Sequence, residues 1–295
     1  MNRTRTVVAV SILVITAVLV ILTWDTHAAL RATPPKTAII LLENHPASKI
    51  VGNANAPYLN KLITQGLRLT NYTEAPPIVG PSLPDYLQLV TGSNCGRTTD
   101  SVQFADPGIS GNCPTTLWSQ LSNAGVSWAL YAEKIPTACS HLTTANVSGG
   151  DRYVMRHVPG PMFASLPSCS THVLPFSVGA IPNPLPTVTF WTPSICNDMH
   201  GISSTSTASC VAGSQALIKR GDTWVSKLVP QLLAQGESVF ITFDESGTLY
   251  AVEVGAGVTH GTDSTAYNHF GWLRMVEARY GLPYLGGAAI ARAIP

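Results

Sequence analysis

The sequence contains few charged side chains. Only 11% of its 295 residues are Asp, Glu, Lys or Arg, and the formal net charge is +1, whereas about a quarter of a typical soluble domain is charged. A chain this close to neutral lacks the basic surface that nucleic-acid binding requires, so we predict no nucleic-acid partner. Hydrophobic residues make up 45% of the chain, which excludes extended disorder and allows a large buried core.

The chain also lacks internal repeats and any CxxC pair, although it has six cysteines. The absence of CxxC argues against a zinc knuckle or a thioredoxin motif. An even number of cysteines is typical of an oxidising compartment. Six cysteines allow about 15 pairings, and among these we expect nearest neighbours to pair. The predicted disulfides are Cys95–Cys113, Cys139–Cys169 and Cys196–Cys210.

The N-terminus has the pattern of an export segment. Arg3 and Arg5 precede the apolar run VVAVSILVITAVLVILTW at residues 7–24, and THA at residues 26–28 offers a small-x-small cleavage site. The run is long for a cleaved signal peptide and approaches the length of a membrane span. Residues 1–28 are therefore predicted to be a signal peptide or an N-terminal membrane anchor. Either alternative places the rest of the chain outside the cytoplasm, after a linker at residues 29–36.

Strand and helix patterns alternate along the remaining chain. The segments TAIILLE, VSWALYAE, TVTFWTP and SVFITFDE predict strands, and the first reads as a strand buried on both faces. Helical patterns cover residues 56–67, 82–92, 115–125, 222–236 and 267–283. This alternation predicts an α/β fold with a mostly parallel central sheet and helices on both faces.

Two of these strands end in polar side chains that favour a cation. Glu43 and Asn44 follow the first strand, and Asp244 and Glu245 follow the last. Adjacent carboxylates repel each other and resist leaving water, so a bound cation would stabilise them. The carboxyl ends of parallel strands are also where such sheets place their sites.

Ser82 lies at the predicted N-cap of a helix, with Pro84 in its first turn and Gly92 just past its end. Free backbone N–H groups at a helix N-terminus suit an anion such as phosphate. Capping alone would also explain a serine here, so the functional interpretation depends on the two acidic strand ends.

Seven segments in fixed order carry a family resemblance. They are LLENHPASKIVGNANAPYLNKLITQG, PSLPDYLQLVTG, YAEKIPTAC with YVMRHVPG, CNDMHG, GDTWVSKLVPQLL, VFITFDES and YNHFGWLRMVEARYGLP. Together they resemble the bacterial phosphoesterase family of acid phosphatases and phospholipases C, within the alkaline phosphatase superfamily. The chain is most similar to the short secreted acid phosphatases of actinobacteria. The resemblance implies an alkaline phosphatase-like sandwich, with residues 37–295 as the catalytic domain.

The resemblance also implies roles for individual residues. The implied metal ligands are Glu43, Asn44, Asp244 and Glu245. The implied catalytic residues are Ser82 as nucleophile, with Asp198 and His200, and the implied substrate-binding residues are Asp85, His157, Asn197 and His269. This ligand set suits one divalent metal ion, or two, from among Mg, Ca, Mn, Fe and Zn.

The implied reaction is hydrolysis of a phosphate ester through a phosphoserine at Ser82. The alternatives are a phospholipase C or phosphodiesterase, and a catalytically impaired envelope protein that binds phosphate or lipid. Gly80 and Asp85 motivate the last alternative, because the family has His and Asn at these positions. An ionised Asp cannot donate to a phosphate oxygen and repels a dianion.

Overall fold

Among the residues that the structure describes, nine strands form one sheet. The structure is a computed structural model that describes residues 34–76, 80–146, 150–205 and 207–295. Within this part, Pro35–Pro295 forms one unit. The predicted signal peptide or anchor at residues 1–28 lies outside the described residues. No helix in the described ranges is both long enough and apolar enough to cross a membrane.

The elements follow in the alternating order expected of an α/β fold. The strands are β1 (Lys36–Leu42), β2 (Leu67–Thr73), β3 (Trp128–Glu133), β4 (Thr144–Asn146), β5 (Arg152–Val154), β6 (Val173–Phe176), β7 (Val188–Thr192), β8 (Glu237–Phe243), β9 (Thr248–Gly255), β10 (Gly261–Asp263) and β11 (Tyr267–Asn268). The helices are α1 (Ala47–Ile50), α2 (Pro57–Ile63), α3 (Ser82–Thr91), α4 (Pro107–Asn112), α5 (Leu117–Asn123), α6 (Cys169–His172), α7 (Gln215–Leu233) and α8 (His269–Tyr280).

The large sheet is mostly parallel, as predicted. Its order is β10–β2–β9–β8–β1–β7–β3–β6, and β11 pairs with β2. Only β9 runs antiparallel to its neighbours β2 and β8. Strand β1 lies in the middle between β7 and β8, and all its residues from Thr37 onward are buried. The side chains that follow β1 and β8 therefore emerge next to each other at one edge of the sheet.

Helices cover both faces of this sheet, which confirms the predicted sandwich. Helix α3 contacts α5 and α8, whereas α2 contacts α7. Helix α7 begins at Gln215, seven residues before the predicted start, because the Ser214 side chain accepts a hydrogen bond from Leu217 N and caps it. The helix continues through Pro230.

Strand β2 was not predicted. The helical spacing in residues 56–67 assigned Leu67 to a helix, but α2 ends at Ile63 and Leu67 begins the strand. Burial alternates along most of β2, as expected for a strand with one face toward the core.

The three predicted disulfides are confirmed. Cys95 bonds to Cys113, Cys139 to Cys169, and Cys196 to Cys210. The last bridge encloses the Asn-Asp-Met-His segment at residues 197–200 and therefore restrains the loop that carries it.

Candidate active site

Ser82 lies between two carboxylates from different strand ends. It is the first residue of α3, and Pro81 occupies the N-cap, so the predicted N-cap position was wrong by one residue. The Ser82 hydroxyl donates to Glu43 Oε2 at 3.0 Å, and its Oγ lies 3.4 Å from Glu245 Oε1. The hydroxyl is thus held by the acidic ends of β1 and β8 rather than used as a helix cap.

Glu43 is fully buried at the centre of this group. Its Oε2 accepts from Ser82, and its Oε1 accepts from the Tyr86 hydroxyl at 2.6 Å. Tyr86 lies one helical turn after Ser82, on the same face of α3. Burial raises the pKa of Glu43 well above its usual range, and the charges of Asp244 and Asp198 raise it further. A carboxylate in this environment requires donors or a cation to stay ionised.

Asn44 and Asp244 meet where β1 and β8 end. The backbone N–H of Asn44 donates to Asp244 Oδ1 at 2.9 Å. Asn44 reaches this position with a φ of 61°, a left-handed conformation that Asn tolerates better than most residues. Asp244 is buried, and its Oδ2 has no hydrogen-bond partner in the described part of the chain. Burial also raises the pKa of Asp244.

Two histidine rings lie next to each other, with centroids 5.6 Å apart, and His200 Nε2 lies 3.5 Å from Arg156 Nη2. His157 Nδ1 lies 3.1 Å from Asp198 Oδ2, and its Nε2 lies 3.5 Å from Glu43 Oε2. His200 Nδ1 donates to the Gly201 carbonyl at 2.8 Å. A neutral imidazole that donates through Nδ1 presents a lone pair at Nε2. Burial lowers the pKa of both histidines, which favours this neutral form.

Asp198 organises this pair of histidines. Its Oδ1 accepts from the backbone N–H of His200 at 2.7 Å while its Oδ2 faces His157. Asp198 is fully buried, and burial raises the pKa of its carboxyl. The Asn-Asp-Met-His segment therefore contributes one side chain that orients a histidine and one histidine of its own.

These residues fit a divalent metal ion. One ligand atom each from Glu43, His157 and His200 lie within 4.8 Å of one another. His157 Nε2 is buried and has no hydrogen-bond partner among the described residues. Histidines that bind metals almost always donate their other ring N–H to a carboxylate or carbonyl, as both do here. Two nitrogens with a carboxylate suit Zn or Fe better than an all-oxygen site would.

Asp85 lies one turn into α3 and is completely buried. Neither of its carboxylate oxygens has a hydrogen-bond partner in the described ranges. Burial, followed by the charges of Asp244 and Glu74, raises the pKa of Asp85 to about 10. Burial and the Asp244 charge raise the pKa of Glu245 to about 7. The structure thus places Asp85 beside the carboxyls of Asp244, Glu74 and Glu245. The contact with substrate that the sequence predicted for Asp85 stays a prediction.

His269 contacts the backbone of Asp244 at the end of β8. Its Nε2 donates to the Asp244 carbonyl at 2.6 Å, and its Nδ1 lies 2.9 Å from the Tyr72 hydroxyl. Both ring nitrogens are therefore occupied by protein partners, and His269 fixes the backbone at the end of β8. Its predicted substrate contact stays a prediction.

Both polar atoms of the Asn197 side chain are hydrogen-bonded to other side chains of the protein. Its Nδ2 donates to Glu133 Oε2 at 2.7 Å, and its Oδ1 accepts from Arg220 Nε at 2.7 Å. These three side chains line a cavity of ≈ 580 Å³ that also contains Lys219. Asn197 therefore links the loop that carries His200 to α7. Its predicted contact with the substrate also remains a prediction.

Sequence reasoning missed Tyr86 and Glu74. Tyr86 had a detectable pattern, because position i+4 of a helix lies beside position i. Glu74 follows β2 in the same way that Glu43 follows β1. It was missed because β2 itself was not predicted.

The central sheet with its flanking helices has the fold of solved structures from the alkaline phosphatase superfamily. A solved structure described as a protein in the alkaline phosphatase superfamily, from Vibrio parahaemolyticus, matches with a TM-score of 0.52 at 11% identity. The match covers 84% of this chain and 67% of that one. At this identity, the likeness establishes the fold alone.

The sequence then gives the family. Residues 53–254 match the Phosphoesterase family, and the chain belongs to it, which confirms the resemblance drawn from the motifs. It is accordingly a phosphoric ester hydrolase.

Two relatives illustrate the range of the family. The chain is 30% identical over 267 residues to a phosphatidylinositol-3-phosphatase of Mycobacterium tuberculosis, and the match covers 86% of this chain and 79% of the relative. It is 28% identical over 249 residues to a phosphate-repressible acid phosphatase of Penicillium chrysogenum, covering 77% of this chain and 55% of the relative. The chain thus spans little more than half the length of the fungal enzyme.

Proposed function

We propose that the chain is an exported, metal-dependent phosphomonoesterase of the acid phosphatase type that works through a phosphoserine at Ser82. The observation that carries the proposal is the Ser82 hydroxyl, which donates to Glu43 Oε2 at 3.0 Å. Ligand atoms of Glu43, His157 and His200 in turn lie within 4.8 Å of one another. A nucleophile beside a cation-binding group is the arrangement that phosphoryl transfer requires.

The chain's own residues account for the first step. Ser82 Oγ forms a bond to phosphorus while the bond between phosphorus and the alcohol oxygen breaks. Glu43 Oε2 is the nearest acceptor for the Oγ proton, which leaves Ser82 as the bond to phosphorus forms. The leaving oxygen takes a proton, a role predicted for His200, and water hydrolyses the phosphoserine in the second step.

A cation would be held by Glu43 and Asp244 with Nε2 of His157 and His200, and the predicted ligands Asn44 and Glu245 flank this set. When bound, a divalent cation lowers the pKa of a nearby hydroxyl and offsets the charge on phosphoryl oxygens. In its absence, Asp198 still orients His157, and Tyr86 still orients Glu43.

Export is supported by three disulfides, which are typical of oxidising compartments. It is also supported by the apolar pattern predicted at residues 7–24. The monoester substrate class is supported by relatives that are named acid phosphatase and phosphatidylinositol-3-phosphatase. A catalytically impaired phosphate-binding protein is the second candidate, because the buried Asp85 carboxyl lies in the position of an amide donor.

Turnover of p-nitrophenyl phosphate by the purified chain tests the proposal. We expect activity that is lost in chelator, restored by added metal, and abolished in the Ser82→Ala variant. Ser122→Ala is a matched control, because Ser122 bonds to Trp128 Nε1 away from the site. Phosphate binding without turnover in the wild type would favour the impaired protein, and full activity in S82A would refute the phosphoserine.

A further inference from the structure

A second group of carboxylates lies on the other side of Glu245. Carboxylate oxygens from Glu74, Asp85 and Glu245 lie within 4.8 Å of one another. The three residues come from different parts of the chain: Glu74 follows β2, Asp85 lies in α3, and Glu245 follows β8. Unlike the group around Glu43, this one contains no nitrogen ligand.

Three oxygens of this group, both of Asp85 and Oε2 of Glu74, have no hydrogen-bond partner in the described ranges, whereas Glu74 Oε1 accepts from the Gly247 N–H at 2.8 Å. Asp85 is 0% exposed and neither of its oxygens is hydrogen-bonded, and Glu74 is 5% exposed with an unbonded Oε2. No ion pair among the described residues involves any of the three carboxylates. An unpaired carboxylate removed from water costs several kcal/mol, roughly, so these oxygens require a cation or protons.

Gly80 permits Glu245 to join the group. A Cβ atom on residue 80 would lie 2.0 Å from Glu245 Oε2, so any side chain there would displace the carboxylate. Gly80 and Asp85 are also the two departures from the family pattern noted in the sequence. One clears the position that Glu245 occupies, and the other supplies a carboxylate in place of an amide. Both departures from the family pattern therefore lie next to Glu245.

We propose that Glu74, Asp85 and Glu245 form a binding site for a second, hard divalent cation such as Ca²⁺, Mg²⁺ or Mn²⁺. Three carboxylates with no nitrogen are the ligands that these cations prefer. Glu245 also contacts the proposed nucleophile, since its Oε1 lies 3.4 Å from Ser82 Oγ.

What this ion does rests on the proposed function, whereas its binding does not. A cation here would offset the negative charge of Asp85 and Glu74 beside Ser82, where a phosphate dianion has to approach. Asp85, at the position where the family has Asn, would then be compatible with turnover.

Counting bound ions tests this site directly. Chelator-stripped chain is dialysed against Ca²⁺, Mg²⁺ or Mn²⁺, and the ions per chain are counted for the wild type, Asp85→Asn and Glu74→Gln. We expect each variant to bind one ion fewer than the wild type for at least one of these metals. Glu277→Gln is the matched control, because Glu277 is equally buried with an unbonded Oε2 but lies in α8, outside the group. It should bind as many ions as the wild type.

A thermal readout separates loss of the site from loss of the fold. Without metal, D85N should unfold at a higher temperature than the wild type, because an uncompensated buried acid is removed. With metal, the wild type should gain more in unfolding temperature than D85N does. Equal ion counts in the wild type, D85N and E74Q would overturn the site, as would a wild type that binds none of the three metals. Chelator-sensitive turnover together with equal ion counts would overturn the second site and leave the proposed function standing.

Discussion

Replacing Tyr86 with phenylalanine removes a single hydroxyl from the buried side of the site. That hydroxyl donates to Glu43 Oε1 at 2.6 Å, and both side chains are fully buried. The bond is one of the features that lower the pKa of Glu43, against the larger effect of burial. Without it, the Glu43 carboxyl holds its proton more tightly and competes less well for a cation.

The structure sets the expected magnitude. A hydrogen bond to a charged group contributes about 1.5–3 kcal/mol, and each ~1.4 kcal/mol corresponds to a tenfold change in a dissociation constant. We therefore expect the Tyr86→Phe variant to bind metal about 10–100-fold more weakly than the wild type. Titration of chelator-stripped protein with Zn²⁺ or Mn²⁺ measures this change, and excess metal should restore much of the turnover.

Tyr153→Phe is the matched control. The Tyr153 hydroxyl is also buried, but it has no hydrogen-bond partner among the described residues. Its removal should leave metal affinity unchanged. Wild-type affinity in Y86F, or an equal loss in Y153F, would refute the assignment of Glu43 as a ligand oriented by Tyr86.

Three further predictions follow from other contacts. Asp198→Asn should weaken metal binding by about 10–100-fold, because His157 loses the carboxylate that orients it; unchanged affinity would contradict this role. Burial raises the pKa of Glu237 in the folded protein to about 8. Between roughly pH 4.5 and pH 8, the folded protein therefore binds more protons than the unfolded chain does. The free energy of unfolding should fall across that window, and Glu237→Gln should remove a few kcal/mol of the fall, roughly. Denaturant titrations at both ends of the window check this, and identical pH slopes would contradict it. Replacing both Cys196 and Cys210 with serine should lower the free energy of unfolding by about 2–4 kcal/mol. It should also reduce turnover, because this bridge restrains the loop that carries His200; wild-type stability and turnover would argue against that role.

The sequence predicted the strands that form the middle of the sheet. TAIILLE and SVFITFDE are continuous apolar runs, which only strands buried on both faces require. Because β1 and β8 are neighbours in parallel register, the polar residues that follow them had to meet. The pairing of nearest-neighbour cysteines was confirmed as well.

Three features could not be obtained from local pattern. Strand β2 lies away from the central strand and carries one exposed and three half-buried residues. Its first residue therefore merged with the preceding helical pattern, and Glu74 went unnoticed. The pairing of His157 with Asp198 joins two loops 41 residues apart, and only the complete fold determines that distance. The direction of Asn197 depends on Arg220 in α7, whose start lies seven residues before the predicted one.

The most direct test of the proposed mechanism is to trap the covalent intermediate. Wild-type chain is mixed with p-nitrophenyl phosphate, quenched in acid during turnover, digested, and mapped by mass spectrometry. We predict phosphate on the peptide that contains Ser82, and none there in the S82A variant. Phosphate on a different serine or threonine, or continued turnover in S82A, would contradict the assignment of Ser82 as the nucleophile.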